Sequence, residues 1–141
     1  LDDLPGAVDG DAGRANAEEL AALQDAFASS RWATRTPIDI EVPFDMMIGD
    51  TVIRGRIDAV FTEDDGTDIV LDWKTGEAPD TEEAQRHAAI QLAVYRLAWA
   101  AMQSRPVESV RAAFHYVRSG VTVQPGTLPG ADDLAALLQA G

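Results

Sequence analysis

The stretch from Thr81 to Gln103 carries apolar residues on more than one helical face. Ile90, Val94, Leu97 and Ala101 line one face; Ala84, Ala88, Tyr95, Ala98 and Met102 line another. That spacing predicts a helix over about 81–103, ended by Pro106. A helix apolar on two faces must be covered on both, by its own domain or by a partner. The segments before it supply a cover. After Pro37, Ile38, Ile40, Val42 and Phe44 alternate with Asp39, Glu41 and Pro43, the pattern of a half-buried strand. Gly49-Asp50 makes a turn, and Thr51 to Phe61 reads as the returning strand of a hairpin. Ile53, Ile57, Ala59 and Phe61 are expected on one of its faces, and Arg54, Arg56 and Asp58 on the other. A second turn, Glu63 to Gly66, leads to a more apolar and therefore central strand, Asp68 to Lys74.

Beyond the long helix, Ser109 to Val117 reads as a fourth strand and Val121 to Val123 as a short fifth. Leu134, Leu137 and Leu138 mark a C-terminal helix. Upstream, Asn16 and Glu19 resemble a capping box opening a helix over about 16–30, with Leu20, Leu23 and Phe27 at helical spacing. Residues 1–13, acidic and Gly-rich, read as linker. The expectation is one α/β domain: an antiparallel meander, then a crossover helix that lays the fourth strand beside it in a mixed sheet. The 141 residues suffice for one core. The first residue is Leu1 rather than Met, so the chain is expected to be a piece of a longer protein.

Charge and composition exclude several functions. There is no cysteine, hence no disulfide scaffold and no Cys-ligated zinc. The longest apolar run, Leu97 to Met102, is too short to span a membrane, and no signal peptide is visible; a cytoplasmic location is expected. The net charge of −13 opposes binding a polyanion unless a metal or a basic neighbour intervenes. Of the 11 basic residues one is a lysine, Lys74, and the rest are arginine. In an Arg-over-Lys, Ala-rich background, typical of a GC-rich bacterial genome, a surviving lysine draws attention to its chemistry.

Side chains two apart on a strand share a face, so Asp72 and Lys74 point the same way and Trp73 points opposite. With Asp58 on the neighbouring strand, two carboxylates and an ammonium can converge on one spot. Paired carboxylates favour Mg²⁺ or Mn²⁺, and a lysine beside them can orient a water or steady a charged phosphate. Gln91 and Tyr95, four apart on the helix, can reach the same spot. An isolated Asp-x-Lys is more often a surface ion pair. The ordered set, Gly55-Arg-Ile-Asp58, Asp72-Trp-Lys-Thr-Gly76 and Gln91-Leu-Ala-Val-Tyr95, is what points to chemistry.

That set resembles the RecB-like branch of the PD-(D/E)xK nucleases over residues 38–118. Asp72-Trp-Lys-Thr-Gly76 and Phe114-His-Tyr-Val-Arg118 look most like nuclease domains at the C-terminal end of actinobacterial superfamily 1 helicases, of UvrD/Rep and AdnAB type. The resemblance implies a restriction-endonuclease-like core of four to five strands with flanking helices. It implies metal-dependent hydrolysis of DNA, leaving 5′-phosphate and 3′-hydroxyl, within an ATP-dependent helicase–nuclease of double-strand break repair and recombination. Asp58 and Asp72 would ligate Mg²⁺ or Mn²⁺ with the Trp73 carbonyl. Lys74 would position the attacking water, and Gln91 and Tyr95 would order the site and the DNA strand. Glu41 matches an acid often seen on the first strand, and a solvent-facing Glu is the equal alternative. The implied partners are a single DNA strand, helicase domains and a second helicase–nuclease subunit. Arg54 and Arg56, on the same face, can touch phosphates or pair with neighbouring acids. The branch usually carries a metal-binding histidine on a helix well before the first strand. Here His87 and His115 both come later in the chain. Two further readings stay open: a catalytically incomplete domain of this fold that guides DNA or docks to the helicase, and an acidic protein-interaction module.

Overall fold

A computed structural model describes residues 13–140. The linker reading of the first residues therefore lies almost wholly outside the described residues. The elements run α1 (Gly13–Ala28), β1 (Asp39–Ile48), β2 (Thr51–Thr62), β3 (Asp68–Lys74), α2 (Glu82–Met102), β4 (Val110–Tyr116), β5 (Val121–Val123) and α3 (Ala131–Ala140). The strands lie side by side in chain order. β1, β2 and β3 form an antiparallel meander; β4 pairs parallel with β3, and β5 antiparallel with β4. This is the mixed sheet that the pattern predicts, and α2 is its crossover. Among the described residues no helix is long and apolar enough to cross a membrane.

Local signals account for these elements. Thr81 caps α2 by accepting from the Ala84 N–H at 3.1 Å. Gly49 has φ 61 at the first position of the two-residue β1–β2 turn, where a II′ hairpin favours glycine. Pro43 sits in β1, an edge strand, where its missing N–H costs least. The middle of α2 is buried on nearly all sides: Leu92, Ala93, Val94, Tyr95, Ala98, Trp99 and Ala100 pack on Val60, Val70, Ala112, Phe114 and Leu134. Each fully buried Leu contributes about 1.5–3 kcal/mol of transfer free energy. The two-faced apolar pattern is only partly used, because Ala84, Ala101 and Met102 are exposed at the helix ends. A smaller cluster on the other side of the sheet joins Trp32, Ala59, Phe61, Ile69, Leu71 and Ala113 to Phe27 of α1 and to Trp73.

The predicted faces of β1 and β2 are corrected at one point. Ile57 packs with α2, whereas Ala59 and Phe61 pack on the α1 side. Likewise Val42 and Phe44 are buried, but Ile38 and Ile40 are 52% and 56% exposed. The cause is Glu41, whose φ of 49 is left-handed. It stands between the pairs Ile40↔Ala59 and Val42↔Ile57. The register continues through it, but the side chains before and after it change faces.

Candidate active site

The ladder between β2 and β3 ends at Ala59↔Leu71. One residue further, Asp58 and Asp72 face each other where the strands part. The Trp73 N–H, left without a ladder carbonyl, donates to Asp58 Oδ2 at 2.8 Å. Both carboxylates are buried, 7% and 4% exposed, and they lie within hydrogen-bonding reach of one another. Burial first, then Asp72, pushes the Asp58 carboxyl up from 3.8 to about 8. Asp58 therefore keeps a proton at neutral pH.

Lys74 Nζ lies 3.2 Å from Asp72 Oδ2. The angle is not that of a hydrogen bond, so this buried oxygen makes none. The same ammonium donates to Gln91 Oε1 at 3.4 Å and stands 5.3 Å from the Phe114 ring centroid. Gln91 Nε2 in turn donates to the Tyr95 hydroxyl at 3.1 Å. Burial, followed by the charge of Asp72, raises the Tyr95 hydroxyl above its ordinary value, so it stays protonated. Asp58, Asp72, Lys74, Gln91 and Tyr95 thus form one connected network at the C-terminal end of β3. A cleft of about 590 Å³ opens beside it, reaching Lys74, Gln91, Phe114 and Tyr116 and continuing to His87 on the exposed start of α2.

Other sequence candidates fall elsewhere. Glu41 lies opposite Asp58 in register, but its side chain is 65% exposed and turns to Arg56 at 3.8 Å. Arg54 pairs with Asp45 at 3.8 Å. A Cβ on Gly55 would meet Phe44 Cζ at 2.9 Å, and Phe44 packs edge-on against Tyr95. Gly55 therefore belongs to the α2 face, and its neighbours Arg54 and Arg56 project from the opposite one, contrary to the expectation that they share a face with Asp58. His115 is buried on the α1 side against Trp73, with Nδ1 2.8 Å from Thr122 Oγ1. Among the described residues no group of three or more His, Cys, Asp or Glu comes together. Phe114 and Tyr116, which line the cleft, belong to the run Phe114 to Arg118 that carries part of the resemblance, but the sequence reading gave them no role in the site. Their signal is the parallel register Asp72↔Phe114 and Lys74↔Tyr116, which puts them on the face of the acid and the lysine.

The raised Asp58 carboxyl makes metal-free stability depend on pH. The folded chain holds this proton up to about pH 8, while the unfolded chain sheds it near 3.8. Between those values the unfolded state binds fewer protons, so this group's stabilisation is full below the window and lost as pH rises through it. In chelator, the wild-type unfolding midpoint is expected to fall relative to that of Asp58→Asn as pH rises from 5 to 8. Parallel midpoints for the two proteins across that range would refute the assignment.

Comparison with known proteins follows the same lines. The family model described as the PD-(D/E)XK nuclease superfamily matches residues 4–140. No curated protein matches. A solved structure described as "Crystal structure of SSO0001" is similar at 19% identity and a TM-score of 0.48, over 91% of this chain and 59% of that one. The chain thus spans less than two thirds of that structure's length. The family match runs through nearly every residue, the site network included, and on that ground the chain belongs to the PD-(D/E)XK nuclease superfamily.

Proposed function

We propose that this chain is a metal-dependent deoxyribonuclease domain of the RecB-like branch, working inside an ATP-dependent helicase–nuclease that processes DNA ends for double-strand break repair. The observation that carries the reading is the connected network Asp58–Asp72–Lys74–Gln91–Tyr95 at the head of an open cleft. The residues fit a hard divalent cation, Mg²⁺ or Mn²⁺. Asp72 Oδ2 is buried without a hydrogen bond, and Asp58 retains a proton that such a cation would displace. In an extended strand the carbonyl and N–H of one residue point to the same side. The Trp73 carbonyl therefore faces the Asp58 side with its N–H and would complete an all-oxygen set with Asp58 and Asp72. When bound, the cation supplies positive charge to the scissile phosphate and acidifies a water.

The chain's own groups do the rest. Lys74, held between Asp72 and Gln91, orients the attacking water and steadies charge on the phosphate. Water adds to phosphorus and the P–O3′ bond breaks, leaving a 5′-phosphate and a 3′-hydroxyl. Gln91 fixes Lys74 through its Oε1 and is itself fixed by Tyr95. The Tyr95 hydroxyl keeps its proton and is free to donate it toward the carboxylates or a bound strand. Basic helicase domains would deliver the single strand that a chain of charge −13 does not attract alone.

A second reading, a nuclease-fold domain that guides DNA or docks to the helicase without cutting, draws on one observation. Only two carboxylates converge among the described residues. The test is a cleavage assay on end-labelled single-stranded DNA with Mn²⁺, comparing the wild type with Lys74→Gln. Cleavage that falls about 10²-fold or more in the variant supports the nuclease. Manganese binding with no cleavage by the wild type favours the guiding role.

A further inference from the structure

On the face of the sheet opposite the carboxylates, a second cavity of about 390 Å³ lies between the end of α1 and the β4–β5 turn. Arg31 and Arg118 flank it, Ser30, Ser119 and Thr122 add hydroxyls, and buried His115 forms part of its wall. We propose that this cavity is a phosphate-binding subsite, which takes a backbone phosphate of the DNA strand away from the bond being cut.

Three observations carry this. The first is charge. Most arginines of this acidic chain are committed to nearby carboxylates: Arg35 to Glu63, Arg105 to Asp68 and Arg111 to Asp65. Arg31 forms no ion pair among the described residues. Its guanidinium lies 4.3 Å from the Trp32 ring centroid, a contact that orders the side chain but leaves its donors available. Its charge reaches the wall, because burial and then Arg31 hold the His115 imidazole below its ordinary 6.5.

The second observation concerns Arg118, whose Nη2 lies 3.1 Å from Glu19 Oε2. Both partners are half exposed, and such a pair contributes about 0–1 kcal/mol. A phosphate, bound bidentately by a guanidinium, can displace it. Of the hydroxyls Ser119 is the loosely held one, donating to the Tyr116 carbonyl only at 3.5 Å; Ser30 Oγ donates to the Phe27 carbonyl at 2.7 Å and Thr122 Oγ1 accepts from Trp32 Nε1 at 3.0 Å.

The third is position. Arg118 Nε donates to the Thr75 carbonyl at 3.3 Å, and the Val117 N–H donates to the Lys74 carbonyl at 2.9 Å. The rim of the cavity is therefore tied to the residues that leave β3 straight after Lys74. A strand crossing that end of the sheet would have the carboxylate pair on one side and the two arginines on the other. The link to DNA rests on the nuclease reading; the affinity for a phosphate group does not.

The test is an NMR titration of the 141-residue chain in chelator, following Gly120, Thr122 and the Arg31 Nε–H signal. The probes are inorganic phosphate and, separately, a short single-stranded oligonucleotide. Saturable shifts at these signals in the millimolar range of phosphate, with those of Gly120 and Thr122 lost in Arg31→Gln and restored in Arg31→Lys, support the subsite. Oligonucleotide binding about tenfold tighter than phosphate at the same signals identifies the strand backbone as the source; equal affinity identifies free phosphate. Absence of saturation with either probe, or shifts unchanged in both Arg31→Gln and Arg118→Gln, overturns the proposal. Chelator removes cleavage from the readout, so an inactive nuclease site leaves this result intact.

Discussion

Replacing Asp72 by Asn is expected to remove Mn²⁺ binding and to slow DNA cleavage about 10³-fold or more. Three decades in rate correspond to roughly 4 kcal/mol of lost transition-state stabilisation, within what a charge-neutralising cation supplies. The substitution keeps size and shape, so the sheet should be undisturbed. It removes the charge that opposes Asp58 and the buried oxygen that has no hydrogen bond. Lys74 loses its contact with Asp72 but retains Gln91 and the Phe114 ring. Isothermal calorimetry with MnCl₂ on the wild type, Asp72→Asn and the Asp58→Asn/Asp72→Asn double variant measures this directly. Wild-type affinity in Asp72→Asn would sink the assignment of the carboxylate pair as the metal centre.

The reach of the sequence differs between these residues for physical reasons. Asp72 and Lys74 share a face because strand periodicity allows nothing else, and Gln91 and Tyr95 share one because helical periodicity does. A crossover helix from β3 to β4 then has to pass over that face. The network among these residues therefore follows from local periods plus one topological step. Arg54 and Arg56 fail the same argument, because strict alternation was carried through Gly55 to Asp58 without a break. Glu41, one residue among alternating neighbours, takes a left-handed backbone, and no pattern of apolar and polar residues encodes that. The same turn leaves Ile38 and Ile40 exposed. Phe114 and Tyr116 needed a register between strands separated by a whole helix, which only tertiary packing sets.

Asp68→Ala is expected to lower stability by roughly 2–4 kcal/mol and to leave manganese affinity unchanged. Asp68 opens the strand whose other end carries Asp72 and Lys74, and both aspartates are 4% exposed. Their surroundings differ. Asp68 accepts from Trp99 Nε1 at 2.8 Å, from Arg105 Nη1 at 2.6 Å and from Thr62 Oγ1 at 3.2 Å. Removing it strands the indole N–H of Trp99 in the core, the costly part of the change. Arg105, about a third exposed, recovers water and offsets some of the loss. For a domain of this size that is roughly a 10 °C drop in unfolding midpoint. Neither the sequence position nor the burial separates the two aspartates; the donors do. An acid satisfied by three donors is part of the fold, and its loss is read in melting. An acid with a buried oxygen left over, next to another that keeps its proton at neutral pH, is held in that state at a cost to the metal-free fold, and its loss is read in metal binding. If Asp68→Ala melts like the wild type, or weakens manganese binding as Asp72→Asn does, that division between the two ends of β3 is wrong.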